Sequence, residues 1–132
     1  MWSYYADGHK GVCLRFRSND LWELGLLVPV EYRSKYPTPS YYRDHIPTLY
    51  AMLGSKAEQW RHEAEWRLGG REAGHVSFPP SMLDGIIIGC RTPSDHVKWI
   101  LGLITEREHP IEVYRASKAK SEYGLQIELL AK

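Results

Sequence analysis

Gly85-Ile86-Ile87-Ile88-Gly89-Cys90, followed at once by Arg91-Thr92-Pro93-Ser94-Asp95, is the stretch whose reading decides the fold. Three consecutive isoleucines are apolar on both faces of an extended chain, which predicts a strand in the centre of a sheet. Behind it, Thr92 has the side chain of a helix N-cap, Pro93 suits the first helical position, and Asp95 stands where a capping-box acid belongs. Val97, Ile100, Leu101 and Ile104 then recur at helical spacing and give that helix one apolar face.

Working outward, Ile111 to Ala116 and Tyr123 to Leu129 both alternate in polarity around a polar turn, the pattern of a closing hairpin. On the other side, Pro79-Pro80 opens a turn of helix, and Val76 to Phe78 reads as a short strand. His62 to Leu68 has the two-residue period of a strand, with Glu63, Glu65 and Arg67 alternating with Ala64, Trp66 and Leu68. Helix is the rival reading there, because Glu and Arg are good helix formers. Pro47 fits the first turn of a helix running to Gly54 or on to about Trp60, with Leu49, Leu53 and Trp60 as core contacts. Leu26 to Tyr32 is a strand whose Pro29 cannot donate to a ladder, so it belongs at an edge or a bulge. Ser18-Asn19-Asp20 caps a turn or short helix ending near Leu24, and Val12 to Phe16 alternates as a half-buried strand. Trp2 and Tyr5 are spaced as on one helix face. The expected fold is α+β, a mixed, mostly antiparallel sheet with a few short helices, and residues 1–132 read as a single domain.

Composition sets the outer limits. The chain has 132 residues, 43% of them apolar and 25% charged, which excludes a disordered tail. The net charge of +1 comes from scattered residues, so nucleic acid is not an expected partner. The best apolar run, Gly85 to Gly89, is far too short for a membrane span. Cys13 and Cys90 lack a CxxC partner and read as reduced, buried thiols, which points to the cytoplasm. His and Cys spacing matches no metal motif, so no metal is expected. There is no GxGxxG, no GxxxxGK[ST] and no GxSxG.

Two constellations could carry chemistry. In the first, Trp2-Ser3, Tyr5, His9 and Gly11 run into the first strand, bringing polar groups to a sheet edge. His9 there is a candidate general base, ligand-holding donor or metal ligand, with Ser3 and Tyr5 as binding partners. Its bland counterpart is a turn fixed by hydrogen bonds. The second is Trp60, Glu63, Glu65, Trp66 and Arg67. On a strand, both carboxylates and the guanidinium leave one face, with neighbours about 7 Å apart. Paired carboxylates raise one pKa and Arg lowers it again, so such a face suits acid–base work or the grasp of a hydroxyl. The counterpart is an exposed charged face with Trp66 in the core, or an Arg67 ion pair that fixes a neighbouring element.

Met1-Trp2-Ser3-Tyr4-Tyr5-Ala6 with His9, Gly11, Val12, Cys13 and Leu14, together with Trp60, Glu63, Glu65, Trp66, Arg67 and Leu68, resembles a bacterial family of domains of unknown function. The strand at Ile86 to Cys90 and its helix are also similar to that family. Tyr4 stands where the family usually has His. The family's longer pattern, with an Asn-Asp-Pro-Phe motif ahead of the Trp-Ser stretch, implies that this chain is the C-terminal portion of an incomplete domain. It would then take an N-terminal companion segment, or a second copy of itself, as partner. The family's occurrence near mobile-element and phage-defence genes implies a toxin-like effector. The Glu-x-Glu stretch further resembles the carboxylate strand of ADP-ribosyltransferase-type toxins. That likeness implies Glu65 as catalytic acid, Glu63 as its helper, a ribose-gripping His that comes from the missing half or is replaced by His9, and NAD as substrate; Arg67 and Trp66 stand beside them as candidate substrate-binding residues. A nuclease, or a non-catalytic partner-binding module or truncated remnant, are the alternatives.

Overall fold

The computed structural model describes residues 2–38, 42, 45–70 and 74–131. In chain order, helix α1 (Trp2–Tyr5) and strand β1 (Val12–Phe16) come first, then β2 (Leu26–Pro29), β3 (Glu31–Arg33) and α2 (His45–Leu53). Next stand β4 (Ser55–Ala57), a 3-10 turn at Glu58–Glu63, and β5 (Trp66–Gly69). Last are β6 (Leu83–Ile88), α3 (Ser94–Thr105), β7 (Glu112–Lys118) and β8 (Leu125–Ala131). The fold is α+β, and the elements fall into two compact units. Residues 1–18 and 78–132 form a sheet unit, and residues 19–77 form an insert unit that enters the chain between β1 and β6.

In the sheet unit the strand order is β1-β6-β7-β8. The isoleucine strand β6 is therefore central, antiparallel to β1 and parallel to β7, while β7 and β8 form the expected antiparallel hairpin. Ile86, Ile88, Ile111 and Val113 make the core, and Val97, Ile100, Leu101 and Ile104 of α3 pack against it. Ile87, of opposite parity on β6, is only half-buried. Ile88 is 0% exposed, so Ile88→Ala is expected to cost about 2–5 kcal/mol and Ile88→Val about 0.5–1.5 kcal/mol. Chemical denaturation of both variants checks this, and an alanine variant within experimental error of the parent would refute the core assignment.

Three expectations are corrected here. Thr92 does not cap α3: its Oγ1 donates to the Gly11 carbonyl at 3.3 Å, and Pro93 occupies the N-cap position with Asp95 in the first turn. The helix begins one residue later than expected, and the Thr92 hydroxyl is turned to a backbone acceptor rather than to the helix amides. Val76 to Phe78 is not a strand; Phe78 instead meets Phe16 edge-on, with ring centres 5.0 Å apart. Cys13 and Cys90 are free thiols, but Cys13 is exposed and Cys90 only half-buried.

The insert unit shows what Pro29 does. The single strand expected from Leu26 to Tyr32 is two, because β2 pairs antiparallel with β5 while β3 pairs in parallel with β4. The chain changes partners at the proline. The next two amides then find other acceptors: Val30 N–H donates to the Glu65 carbonyl at 2.9 Å and Glu31 N–H to that of Gly54 at 2.6 Å. Helix α2 stops at Leu53 rather than continuing to Trp60. Its buried residue is Thr48, whereas Leu49 and Leu53 are exposed. Among the described residues no helix is long and apolar enough to cross a membrane.

Candidate functional site

The insert unit gathers charge around Lys56. Short as it is, β4 is fixed by its parallel pairing with β3, which sets Lys56 opposite Tyr32. The chain then turns through the 3-10 segment, and Ala64 takes a left-handed conformation with φ of 46°. Extended backbone resumes only with β5 at Trp66. The expectation of one strand face carrying Glu63, Glu65 and Arg67 is thus corrected. Glu63 ends a tight helical turn, Glu65 lies between two elements, and Arg67 alone is on a strand.

The three side chains nevertheless converge, through a lysine that sequence reasoning missed. Lys56 Nζ donates to Glu63 Oε2 and, at 2.9 Å, to Glu65 Oε2. Arg67 Nε donates to Glu65 Oε1 at 2.6 Å, and Arg67 Nη1 to the Leu53 carbonyl at 2.6 Å. The Tyr32 hydroxyl accepts the Glu65 backbone N–H at 2.7 Å, and the Trp60 ring lies 5.2 Å from Lys56 Nζ. Arg67 first, and Lys56 second, hold the Glu65 carboxyl below its ordinary range. Glu63 and then Glu65 push the Lys56 ammonium well above its own, and Glu65 raises Arg67. Two carboxylates and two cations so form one neutral, interlocked set.

Within it the roles differ by exposure. Glu63 is 4% exposed and buried as a partner of Lys56. Glu65 and Arg67 instead line a pocket of about 260 Å³ whose other walls are Leu26, Val28, Leu53, Leu68 and Gly69. An ionised carboxylate on an otherwise apolar wall can accept hydrogen bonds from a hydroxyl or stabilise developing positive charge. Lys56 also lines a second cavity, of about 600 Å³. Trp66, expected in the core or at the ligand, is 58% exposed.

His9, Ser3 and Tyr5 lie in the sheet unit. Asp7, Gly8 and His9 all have positive φ, and the loop is tied down by Arg91 N–H donating to the His9 carbonyl at 3.0 Å and Gly89 N–H to that of Gly11 at 3.1 Å. His9 Nδ1 and Trp2 Nε1 are buried without hydrogen-bond partners, their rings 6.2 Å apart. Tyr5 is exposed, and the Ser3 carbonyl accepts the Gly8 N–H. The structure so assembles the expected residues as two groups, one in each unit. The sheet unit has a further charged cluster that the sequence reading did not single out. Arg15 donates to Asp84 at 2.8 Å, to Glu112 at 2.8 Å and to the Tyr114 hydroxyl at 2.9 Å, joining β1, β6 and β7. An Arg among the outward positions of an alternating strand was its only local signal. Among the described residues there is no group of three or more His, Cys, Asp or Glu that could hold a metal ion.

The family model described as "Protein of unknown function (DUF2971)" matches residues 1–68. The chain belongs to that family. The matched part holds both the Trp2-to-Leu14 stretch and the segment from Trp60 to Leu68, with the whole Lys56–Glu63–Glu65–Arg67 set. Strand β6 and helix α3 lie beyond it. No curated protein and no solved structure matches the chain.

Proposed function

We propose that the insert unit carries a reactive site of transferase type, acting on a ribosyl nucleotide such as NAD, with Glu65 as its catalytic carboxylate. The observation that carries this reading is Glu65 held ionised by Arg67 and Lys56 on the wall of an apolar pocket. In that reading the ribose 2′-hydroxyl donates to Glu65 while the C1′–N bond to nicotinamide breaks. The bonding electron pair leaves with nicotinamide, positive charge develops at C1′, and the carboxylate stabilises it. An acceptor nucleophile then bonds to C1′ and gives up its proton. Arg67 and Lys56 are positioning residues that fix the carboxylate and keep it unprotonated. Glu63, being buried, acts through Lys56. Transfer to a cellular acceptor fits the toxin-like, phage-defence role that belongs to this reading.

The test is release of nicotinamide from NAD by the full chain. Glu65→Gln is expected to lower the rate about 100- to 1,000-fold, assayed well below its Tm because the substitution also weakens two ion pairs. Equal rates in parent and variant would end the reading.

A second reading, a partner-binding module that docks a companion segment or a second copy, is favoured by one observation. Ile127, Leu129 and Leu130 on β8 are each about half exposed, as is Leu14 on β1. Apolar side chains concentrated on edge strands are a common basis for association. Size-exclusion chromatography at rising concentration distinguishes the readings, since a strictly monomeric chain leaves the homo-oligomer without support.

A further inference from the structure

The 600 Å³ cavity has a chemical character of its own. It is lined by Arg33, Lys35 and Lys56, with apolar wall from Met52 and neighbouring alanines, and none of its lining residues is acidic. Two of the three cations are already engaged, Arg33 with Glu31 and Lys56 with Glu63 and Glu65. Lys35 has no ion-pair partner among the described residues, so the cavity has a surplus of positive charge. Ser55 adds a second observation. The residue lines the same cavity, and its Oγ is buried behind that wall without a hydrogen-bond partner. A buried hydroxyl without a partner is uncommon, and a ligand oxygen in the cavity would supply one. Tyr36 on the lining is almost fully exposed and offers a flat apolar face. The volume lies within the range of about 300–1,000 Å³ that takes small ligands.

We propose that this cavity binds a nucleoside diphosphate, with Lys35 and Arg33 on the phosphates, the Ser55 hydroxyl on a phosphate oxygen and Tyr36 against the base. Cations with an apolar wall suit a phosphate ester attached to a ring better than a bare anion, which would leave Met52 and Tyr36 without contact. The proposal deepens the reading of Glu65, since Lys56 lines this cavity while donating to the carboxylate beside the smaller pocket.

The experiment is calorimetric titration of the full chain with ADP, with inorganic phosphate and adenosine as separate arms. ADP is expected to bind more tightly than either fragment, and more weakly as salt is raised. Lys35→Ala and Arg33→Ala should each weaken ADP about ten-fold or more, and Ser55→Ala should weaken it less. Absence of ADP binding to the parent protein, or affinity unchanged in both cation variants, overturns the proposal. Glu65→Gln separates the two ideas, because it should keep ADP affinity while losing nicotinamide release. ADP binding that depends on Lys35 in a protein that releases no nicotinamide upholds the cavity and rejects only the transferase reading.

Discussion

Gly89→Ala is expected to abolish the native packing of the sheet unit. A Cβ placed on Gly89 would stand 2.1 Å from the His9 carbonyl oxygen and 2.6 Å from that of Gly11. Both are backbone atoms of a loop held by the Gly89, Arg91 and Thr92 hydrogen bonds, so neither can swing aside as a side-chain tip could. Relief requires parting the 9–11 loop from the end of β6, which breaks those bonds and pulls on the Val12–Ile88 pairing next to them. The expected cost exceeds the roughly 1–3 kcal/mol typical of an overpacked core. The variant should show lost near-ultraviolet circular dichroism or a greatly lowered Tm. Gly102→Ala is the control. Gly102 lies within α3 with nothing within 4 Å of its added Cβ, and alanine there should stabilise by roughly 0.5–1 kcal/mol through helix propensity and a less flexible unfolded chain. Similar Tm values for the two variants would show that the close approach at Gly89 is not real.

Lys56→Met is expected to be the most damaging polar substitution in the insert unit. Methionine keeps the stem's bulk but removes the ammonium from the buried Glu63 carboxylate and from Glu65. Taking the cation from a buried carboxylate is costly, and for a unit of this size a Tm lower by roughly 10 °C or more follows. The sign of the pH dependence is fixed by the shifts. Glu65 has its pKa depressed in the fold, so its contribution is present above the unfolded value of about 4.3 and is lost as pH falls through the lower folded value. Lys56 has its pKa raised, so its contribution is complete below the unfolded value of about 10.4 and is lost only as pH rises through the higher folded one. The parent set is therefore whole from about pH 5 to pH 10. In Lys56→Met, Glu65 keeps Arg67 but has lost the ammonium's share of its stabilisation, so acid weakens the variant less than it weakens the parent. Native-state hydrogen exchange of β4 and β5 amides between pH 4 and pH 8 should show the gap between the two proteins narrowing towards acid. A gap independent of pH would mean that the lysine contributes by packing alone.

The two variants also mark where the sequence was legible. Gly89 follows an isoleucine run that announces a central strand, and its glycine hints at a close approach. The residues it must admit, His9 and Gly11, lie some eighty positions away and leave no local trace. Lys56 was less visible still. Ser55-Lys56-Ala57 is too short to show a period, and it lies where the helix from Pro47 was expected to end or run on towards Trp60. Glu63, Glu65 and Arg67 were found as a group for a reason that proved incomplete: alternation placed them on one strand face, whereas a 3-10 turn, the left-handed Ala64 and the lysine bring them together.

What the sequence by itself determined is the central β6, the apolar face of α3 and the β7–β8 hairpin. In each of these a run of residues has one periodicity long enough for burial of one face to dictate the local structure. What only the tertiary structure decided is the change of partner at Pro29, the diversion of the Thr92 hydroxyl to Gly11 and the meeting of Lys56 with its carboxylates. Each of these is a competition among hydrogen-bond or charge partners distant in sequence or joined by an irregular turn, and which partner wins depends on where the whole backbone has placed it.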